Sequence, residues 1–466
     1  MLFSTSFSLE HSDSPFFVLF VSMAFGIIFS LLFVEGEIFK GVLLLGPFLV
    51  FCWLARHLLP NVLLFFFLGF SLSFVKIEHL MLEPGSIVEV TGKVEKVYAD
   101  DFFLGSGSAF IDGEWKKLPF RIIVKSKKAF MESEVPDSGM IFWAVGKLEK
   151  AASFQLSLDS DMRGFAPPIG VDRFTGNLRK DIENKLEKYG LSNALIFSTF
   201  FGSKAKLSSQ LKTALKKVGI SHIFAVSGLH VGLFFLVINN ILSLFLLPYF
   251  VKDSFSLMLT AAYVLCTGPA ISASRAFLML LLYVVFRIID YPQSPLNILG
   301  LSGIIMLVIA PFDLILPDFQ LSFISTSGIL LYIMASQKKR SFVVQAFLIG
   351  GAAQGATLPI TLNLFGSISL MAIPITFIVV EIYLMPALVG TLALLFLDLV
   401  KLKPLAFALG KGLEFLSKLF EIAILKLSEL SPMLQLKPPY NYFVAFFVAS
   451  SVASLLFFFA HSEQRP

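Results

Sequence analysis

The chain has 466 residues, of which 56% are hydrophobic and only 15% are charged, and its mean hydropathy is +0.82. A soluble domain has about 25% charged residues, so this composition excludes an ordinary soluble protein and predicts a polytopic helical membrane protein. The formal net charge of +5 indicates no particular partner, and Cys52 and Cys266 are too far apart to suggest a disulfide framework or a metal site.

The N-terminal part of the sequence predicts membrane spans followed by a β-rich insertion. Residues 1–78 hold three apolar runs, each close to the ~20 residues that cross a bilayer. From residue 83 to residue 163, charged residues become frequent and apolar residues alternate in short runs. Asp112-Gly113 is a turn signal within this region. We therefore expect a small β-barrel or sandwich at 83–163.

A basic helical segment follows at residues 164–219. Phe174, Leu178, Ile182 and Leu186 recur every four residues, as expected of an amphipathic helix. Residues 164–217 contain ten basic and four acidic side chains, a net charge of +6. We expect this segment to be soluble or interfacial, and to attract phosphate groups or anionic lipid.

Residues 220–403 predict a second membrane block. Six spans are expected near 221–247, 254–267, 271–289, 295–310, 319–336 and 341–362. The run at 367–400 contains two prolines and a glutamate, so it is predicted to form two half-helices or two short spans. The last part, 404–466, predicts an amphipathic helix at the interface and a final span near 440–460.

The basic loops predict the orientation of the chain. When the spans alternate, the basic side chains between them fall on one side of the membrane, at Arg56, Arg287, 338–340, Lys401 and Lys403. The positive-inside rule makes this side cytoplasmic, so the β domain is expected outside the cell membrane.

Four stretches of the second block carry polar residues inside apolar segments, namely 221–232, 268–279, 311–323 and 350–361. Polar groups in hydrocarbon are tolerated when they face a bundle interior or a water-filled path. We therefore expect a polar channel path, and its candidate residues are Ser227, Gly228, His230, Arg275, Asp318, Gln320 and Gln354.

Other interpretations of these stretches stay open. Gly228 and Gly232 have the spacing of a helix-packing face, and Arg275 is also suited to extend toward the membrane surface or to pair with Asp318. Ser227 and His230 are a weak signal for a nucleophile and a base.

The four stretches, in this order, resemble the membrane domain of ComEC-type competence proteins, a family of DNA internalisation channels. The strings S-G-L-H-V-G at 227–232 and F-Q-L-S-F at 319–323 carry most of this resemblance. It implies that 220–403 is the channel core and that 83–163 is an OB-like domain. It also implies a multi-pass protein of the inner (cytoplasmic) membrane that transports single-stranded DNA during natural transformation.

An OB-like domain would bind single-stranded DNA through aromatic rings and basic side chains. The candidates are Phe103, Trp115, Lys116, Lys117, Arg121 and Lys125. However, residues 83–163 contain eleven basic and thirteen acidic side chains, so the domain is no general electrostatic trap, and core or turn roles for the aromatic residues stay open.

Many family members continue into a metallo-β-lactamase-like nuclease domain with an H-x-H-x-D-H motif. The six histidines of this sequence do not have that spacing, and it contains no ATP-binding loop. We therefore expect no metal, no cofactor and no enzymatic activity. Single-stranded DNA and the bilayer are the expected partners, with a separate DNA receptor, motor ATPase and nuclease, and homo-oligomers are one option. A small-solute or ion transporter with an accessory outer domain is the alternative.

Overall fold

The chain is mostly helical and carries a small, largely antiparallel sheet. A computed structural model describes residues 14–34, 38–54, 58–78, 87–99, 102–111, 113–118, 122–126, 140–149, 156–166, 168, 171–202, 207–224, 226–268, 271–291, 293–336, 340–365, 367–369, 371–431 and 433–435. Within these residues, six helices are long and apolar enough to span a membrane. They make the chain a multi-pass membrane protein. The span predicted near 440–460 lies outside the described residues.

The chain divides into two compact units. The sheet unit comprises His11–Leu178 and Asn297–Leu316, and the helical unit consists chiefly of Arg179–Leu296 and the chain from Pro317 onward.

Three apolar helices open the sheet unit: α1 (Pro15–Val34), α2 (Ile38–Leu54) and α3 (Leu59–Glu78). Helices α1 and α3 approach so closely at Gly26 that a Cβ at this position would collide with the Phe66 carbonyl group. Helix α10 (Pro295–Ile309) returns from far along the chain to pack on α1, where Gly300 meets the Phe17 backbone. The Phe16 backbone N–H donates to Asn297 Oδ1 at 2.8 Å.

Six strands form the sheet: β1 (Ile87–Ala99), β2 (Phe102–Ile111), β3 (Glu114–Lys117), β4 (Ile122–Ser126), β5 (Ile141–Glu149) and β6 (Leu156–Ala166). Their order is β1-β5-β6-β4-β2-β3, and β1 also pairs with β2. All pairs are antiparallel except β4 with β6. Val88, Val90 and Val94 of β1 are buried, as the alternating sequence predicts.

The helical unit begins within α4 (Val171–Lys188) and continues with α5 (Ala194–Phe201) and α6 (Ser209–Val218). The seven residues from Leu195 to Phe201 are all buried in the core of this unit. The prediction that this segment is soluble or interfacial stays a prediction, but its amphipathic pattern does not extend to α5, which is buried on all sides. Its run of leucine, isoleucine and phenylalanine side chains favours burial over contact with water.

The remaining elements are α7 (Gly228–Ser243), α8 (Tyr249–Thr267), α9 (Ile271–Ile288), α11 (Pro317–Ala335), α12 (Phe342–Phe365), β7 (Ser367–Ser369), α13 (Ala372–Val379), α14 (Met385–Leu399), α15 (Lys403–Leu430) and β8 (Met433–Gln435). A short 3-10 helix, Ser221–Phe224, precedes α7, and another, Pro311–Ile315, precedes α11.

Two predicted spans have a different form in the structure. The span predicted at 221–247 is interrupted, because α7 starts only at Gly228 and Ser227 takes an extended conformation. Instead of the two half-helices or two short spans predicted within 367–400, one helical stretch forms, in which the π-helical turn Val380–Leu384 joins α13 to α14. Tyr383 of this turn is fully buried and stacks on Phe420 of α15 at 4.1 Å. This stacking holds the turn against α15.

Candidate functional site

The string S-G-L-H-V-G forms the N-terminus of α7. The Ser227 backbone N–H donates to His230 Nδ1 at 3.3 Å, and Ser227 Oγ lies 3.0 Å from the same nitrogen. Because a backbone N–H can only donate, Nδ1 acts as the acceptor, and the proton of a neutral imidazole then lies on Nε2. His230 is buried, and Nε2 has no hydrogen-bond partner among the described residues. His230 therefore caps the helix and leaves one buried donor unused.

Arg275 lies one turn into α9 and is buried, with a relative exposure of 5%. Nη1 donates to Thr326 Oγ1 of α11, and the guanidinium carbon lies 5.5 Å from the centre of the Phe323 ring. Nε has no hydrogen-bond partner among the described residues. The ion pairs of the described part of the chain do not include one between Arg275 and Asp318.

Gly228 brings these two segments together. A Cβ at this position would lie 3.2 Å from Arg275 Nη2 and 3.5 Å from the Ala276 Cβ, so the guanidinium lies directly against the first residue of α7. In contrast, a Cβ at Gly232 would meet no atom of the described residues within 4 Å. Within the described residues, the predicted packing face is therefore present at Gly228 but not at Gly232.

Hydroxyl groups connect α9 to α11. Ser322 Oγ donates to Ser272 Oγ at 3.2 Å, and Thr326 accepts the hydrogen bond from Arg275 one turn later. Asp318, Ser322 and Thr326 follow one another at four-residue spacing and so share one side of α11. Asp318 lies about 12 Å along the helix axis from Thr326. The structure thus joins Ser227, Gly228, His230 and Arg275, and Asp318 lies on the same side of α11 as their neighbour Thr326.

The described contacts do not bring the two glutamines into this cluster. Gln320 lies in the first turn of α11, half a helical turn away from Asp318. Helix α12 packs on α11 through Ala352 and Ala356, which contact Gly328, and Gln354 projects from the other side of α12. Both glutamines stay predicted channel residues.

A second polar cluster was not predicted from the sequence. Asp253 of α8 is fully buried, accepts from Asn239 Nδ2 of α7 at 2.7 Å and lies 2.9 Å from Arg287 Nη1 of α9. Ser256 is also within reach of Asn239, at 3.3 Å. An acidic residue in the first turns of an apolar helix, with an asparagine and an arginine on the neighbouring helices, was the available signal. The cluster ties three helices together.

The sheet carries an exposed aromatic pair. Trp115 is 47% exposed and Phe110 42%, and their ring centres lie 5.5 Å apart. Phe110 was not among the predicted candidates, and the antiparallel pairing of β2 with β3 places it opposite Trp115. Lys117 is exposed on the same face as Trp115, and Lys116 alternates to the other face.

The other candidates of the β domain are only partly described. Phe103 pairs with Val124, and Lys125 pairs with Phe102 in the same ladder. Arg121 lies outside the described residues. No group of three or more histidine, cysteine, aspartate or glutamate side chains in the described part of the chain is arranged to hold a metal ion.

Comparison with known proteins identifies the relatives of this chain. The family model for competence proteins matches residues 199–463. ComE operon protein 3 of Bacillus subtilis (strain 168) is 28% identical over 215 residues, which is 43% of this chain and 26% of that protein. An uncharacterized protein of Aquifex aeolicus (strain VF5) is 27% identical over 208 residues, 43% of this chain and 48% of that one. These matches thus span half or less of either relative, and no solved structure matches significantly.

Proposed function

Because this chain belongs to the competence protein family, of the ComEC type, we propose that it carries single-stranded DNA across the cytoplasmic membrane during natural transformation. The observation that carries this proposal is the buried Arg275, which lies against the N-terminus of α7 and donates to the Thr326 hydroxyl of α11. A buried cation in a membrane protein indicates a functional site, and an anionic strand that passes it would offset its charge.

The strand pairing supports an OB-like barrel at the outer face. Strand β1 pairs with both β5 and β2, so β1, β5, β6 and β4 each have two neighbours, β2 has three because it also pairs with β3, and the β4–β6 pair is parallel. This pairing is consistent with a closed five-stranded barrel. The exposed Phe110–Trp115 pair with Lys117 would stack and guide an incoming strand.

Transport without hydrolysis is part of the proposal. His230 is occupied as a helix cap, and its Nε2 contacts no described carboxylate that would orient it as a base. A receptor, a motor ATPase and any nuclease would be separate proteins. A hydrolase that uses Ser227 as its nucleophile would instead require Ser227→Ala to abolish a hydrolytic activity and leave DNA passage intact.

Transformation of a strain that depends on this protein tests the proposal. We expect Arg275→Ala and His230→Ala to lower DNA uptake at least tenfold at normal membrane levels. Arg340→Ala, which removes an exposed cation, serves as the control and should stay within twofold of wild type. Wild-type uptake in both site variants would refute the proposed path. Uptake of a small solute instead of labelled DNA would favour the alternative transporter function.

A further inference from the structure

The buried Arg275 guanidinium lies against the N-terminus of α7, where Gly228 is half-buried and Leu229 is exposed. Helix α7 has 16 residues; its capping box uses the N–H groups of Ser227 and His230, so the N–H groups of Gly228 and Leu229 are the ones without a carbonyl partner in the helix. These groups give the helix end a partial positive charge of about half a unit. Arg275 Nη2 lies against Gly228, the first residue of the helix.

Two positive groups in contact inside an apolar unit repel each other. Arginine does not lose its proton in proteins, so the full charge persists. Thr326, Met279 and the Phe323 ring contact the guanidinium, but none of them carries a negative charge. The ion pairs of the described residues also leave Arg275 without a carboxylate.

We propose that this place is a binding site for one phosphodiester group of the transported strand, formed by Arg275 and the first N–H groups of α7. The site rests on the proposed function for the identity of its ligand. A phosphate oxyanion accepts hydrogen bonds from a guanidinium edge and from helix N-terminal N–H groups, and its charge offsets both positive groups. Arg275 Nε is a buried donor for which the described residues provide no acceptor.

Gly228 is a requirement of this site. With a Cβ 3.2 Å from Nη2, any other residue would push the guanidinium away from the helix end by a few tenths of an ångström. The glycine therefore keeps the arginine edge and the backbone N–H groups close enough to contact the same phosphate.

The test uses the full chain, purified in an uncharged maltoside detergent so that no lipid phosphate is present. Its thermal unfolding midpoint is measured at constant ionic strength with inorganic phosphate, with the dinucleotide dTpdT, with the uncharged methylphosphonate form of dTpdT, or with a short-chain phosphatidylglycerol. A ligand that binds the folded state raises the midpoint. We expect inorganic phosphate and dTpdT to raise it, and the methylphosphonate form to leave it unchanged.

The variants assign the effect to the site. Arg275→Gln should remove the response to phosphate, and Arg275→Lys, which keeps the charge but loses the planar fork, should weaken the apparent affinity about tenfold. Arg287→Lys is the matched control on the same helix and should respond like wild type, because Arg287 already pairs with Asp253. Gly228→Ala should weaken phosphate binding severalfold. If Arg275→Gln does not fold, Gly228→Ala and Arg275→Lys together test the site.

Three results would overturn the inference: no response of the wild-type protein to phosphate or dTpdT, an equal response in well-folded Arg275→Gln, or a response to phosphatidylglycerol alone. The last would make the site a lipid headgroup site. Loss of DNA uptake in Arg275→Gln cells without any phosphate binding would leave the proposed function standing and remove this site. Conversely, phosphate binding that depends on Arg275 in the purified protein, together with normal DNA uptake in cells that lack the protein, would support this site and remove the proposed function.

Discussion

At the scale of single residues, His230 shows how one side chain serves a helix inside an apolar protein. Its Nδ1 accepts the Ser227 backbone N–H, which α7 itself leaves without a partner. Glutamate and glutamine commonly fill this third position of a helix, where the side-chain oxygen accepts the backbone N–H of the N-cap residue. Glutamine at position 230 can therefore replace a capping histidine, but it cannot replace a histidine that acts as a base.

We expect His230→Gln to keep the thermal stability of the purified protein within about 1 kcal/mol of wild type, whereas His230→Ala loses about 1–3 kcal/mol through the missing bond and lost packing. Thermal unfolding in detergent measures both. Equal losses in the two variants would show that the cap contributes little, and the imidazole would then need another role.

At the scale of elements, Glu414 connects two helices that are far apart in sequence. Its carboxylate on α15 accepts the backbone N–H groups of Ser192 and Asn193 at 3.0 and 2.9 Å, just before α5 begins. A carboxylate at a helix N-terminus is also favoured by the helix dipole. The side chain is buried, so water does not readily replace it.

Glu414→Ala is expected to destabilise the protein by about 1–3 kcal/mol, because two backbone donors lose their acceptor. Glu429→Ala, an exposed glutamate on the same helix, should change stability by less than about 0.5 kcal/mol. Thermal unfolding of both variants makes the comparison, and a similar stability of the two would contradict the capping role.

The sequence anticipated the elements better than their contacts. Apolar runs located α8, α9, α11 and α12 to within a few residues, since length and hydropathy alone determine such helices. Alternation and the turn at Asp112-Gly113 indicated the sheet. No pattern within one helix shows which neighbour it meets, so the partners of Arg275 and Asp253 emerged only from packing.

At the scale of the whole molecule, the charge pattern predicts the side on which each segment lies. We expect an impermeant maleimide to label Lys117→Cys, an exposed position of β3, in intact spheroplasts. Lys403→Cys, exposed at the start of α15, should react only after the membrane is opened. The native Cys52 and Cys266 are both buried and free, so they should add little background. Labelling of Lys117→Cys only from the cytoplasmic side would reverse the orientation.

The packing of α10 on α1 has a consequence for how the protein is made. Phe16 and Asn297, which join these helices, are 281 residues apart in the chain. At a synthesis rate of about 5–20 residues per second, the ribosome needs roughly 15–60 s to bridge that interval. During this time, α1 and α3 lack the backbone contact that Gly300 of α10 makes with Phe17. The sheet unit therefore completes its packing only after α10 has been synthesised.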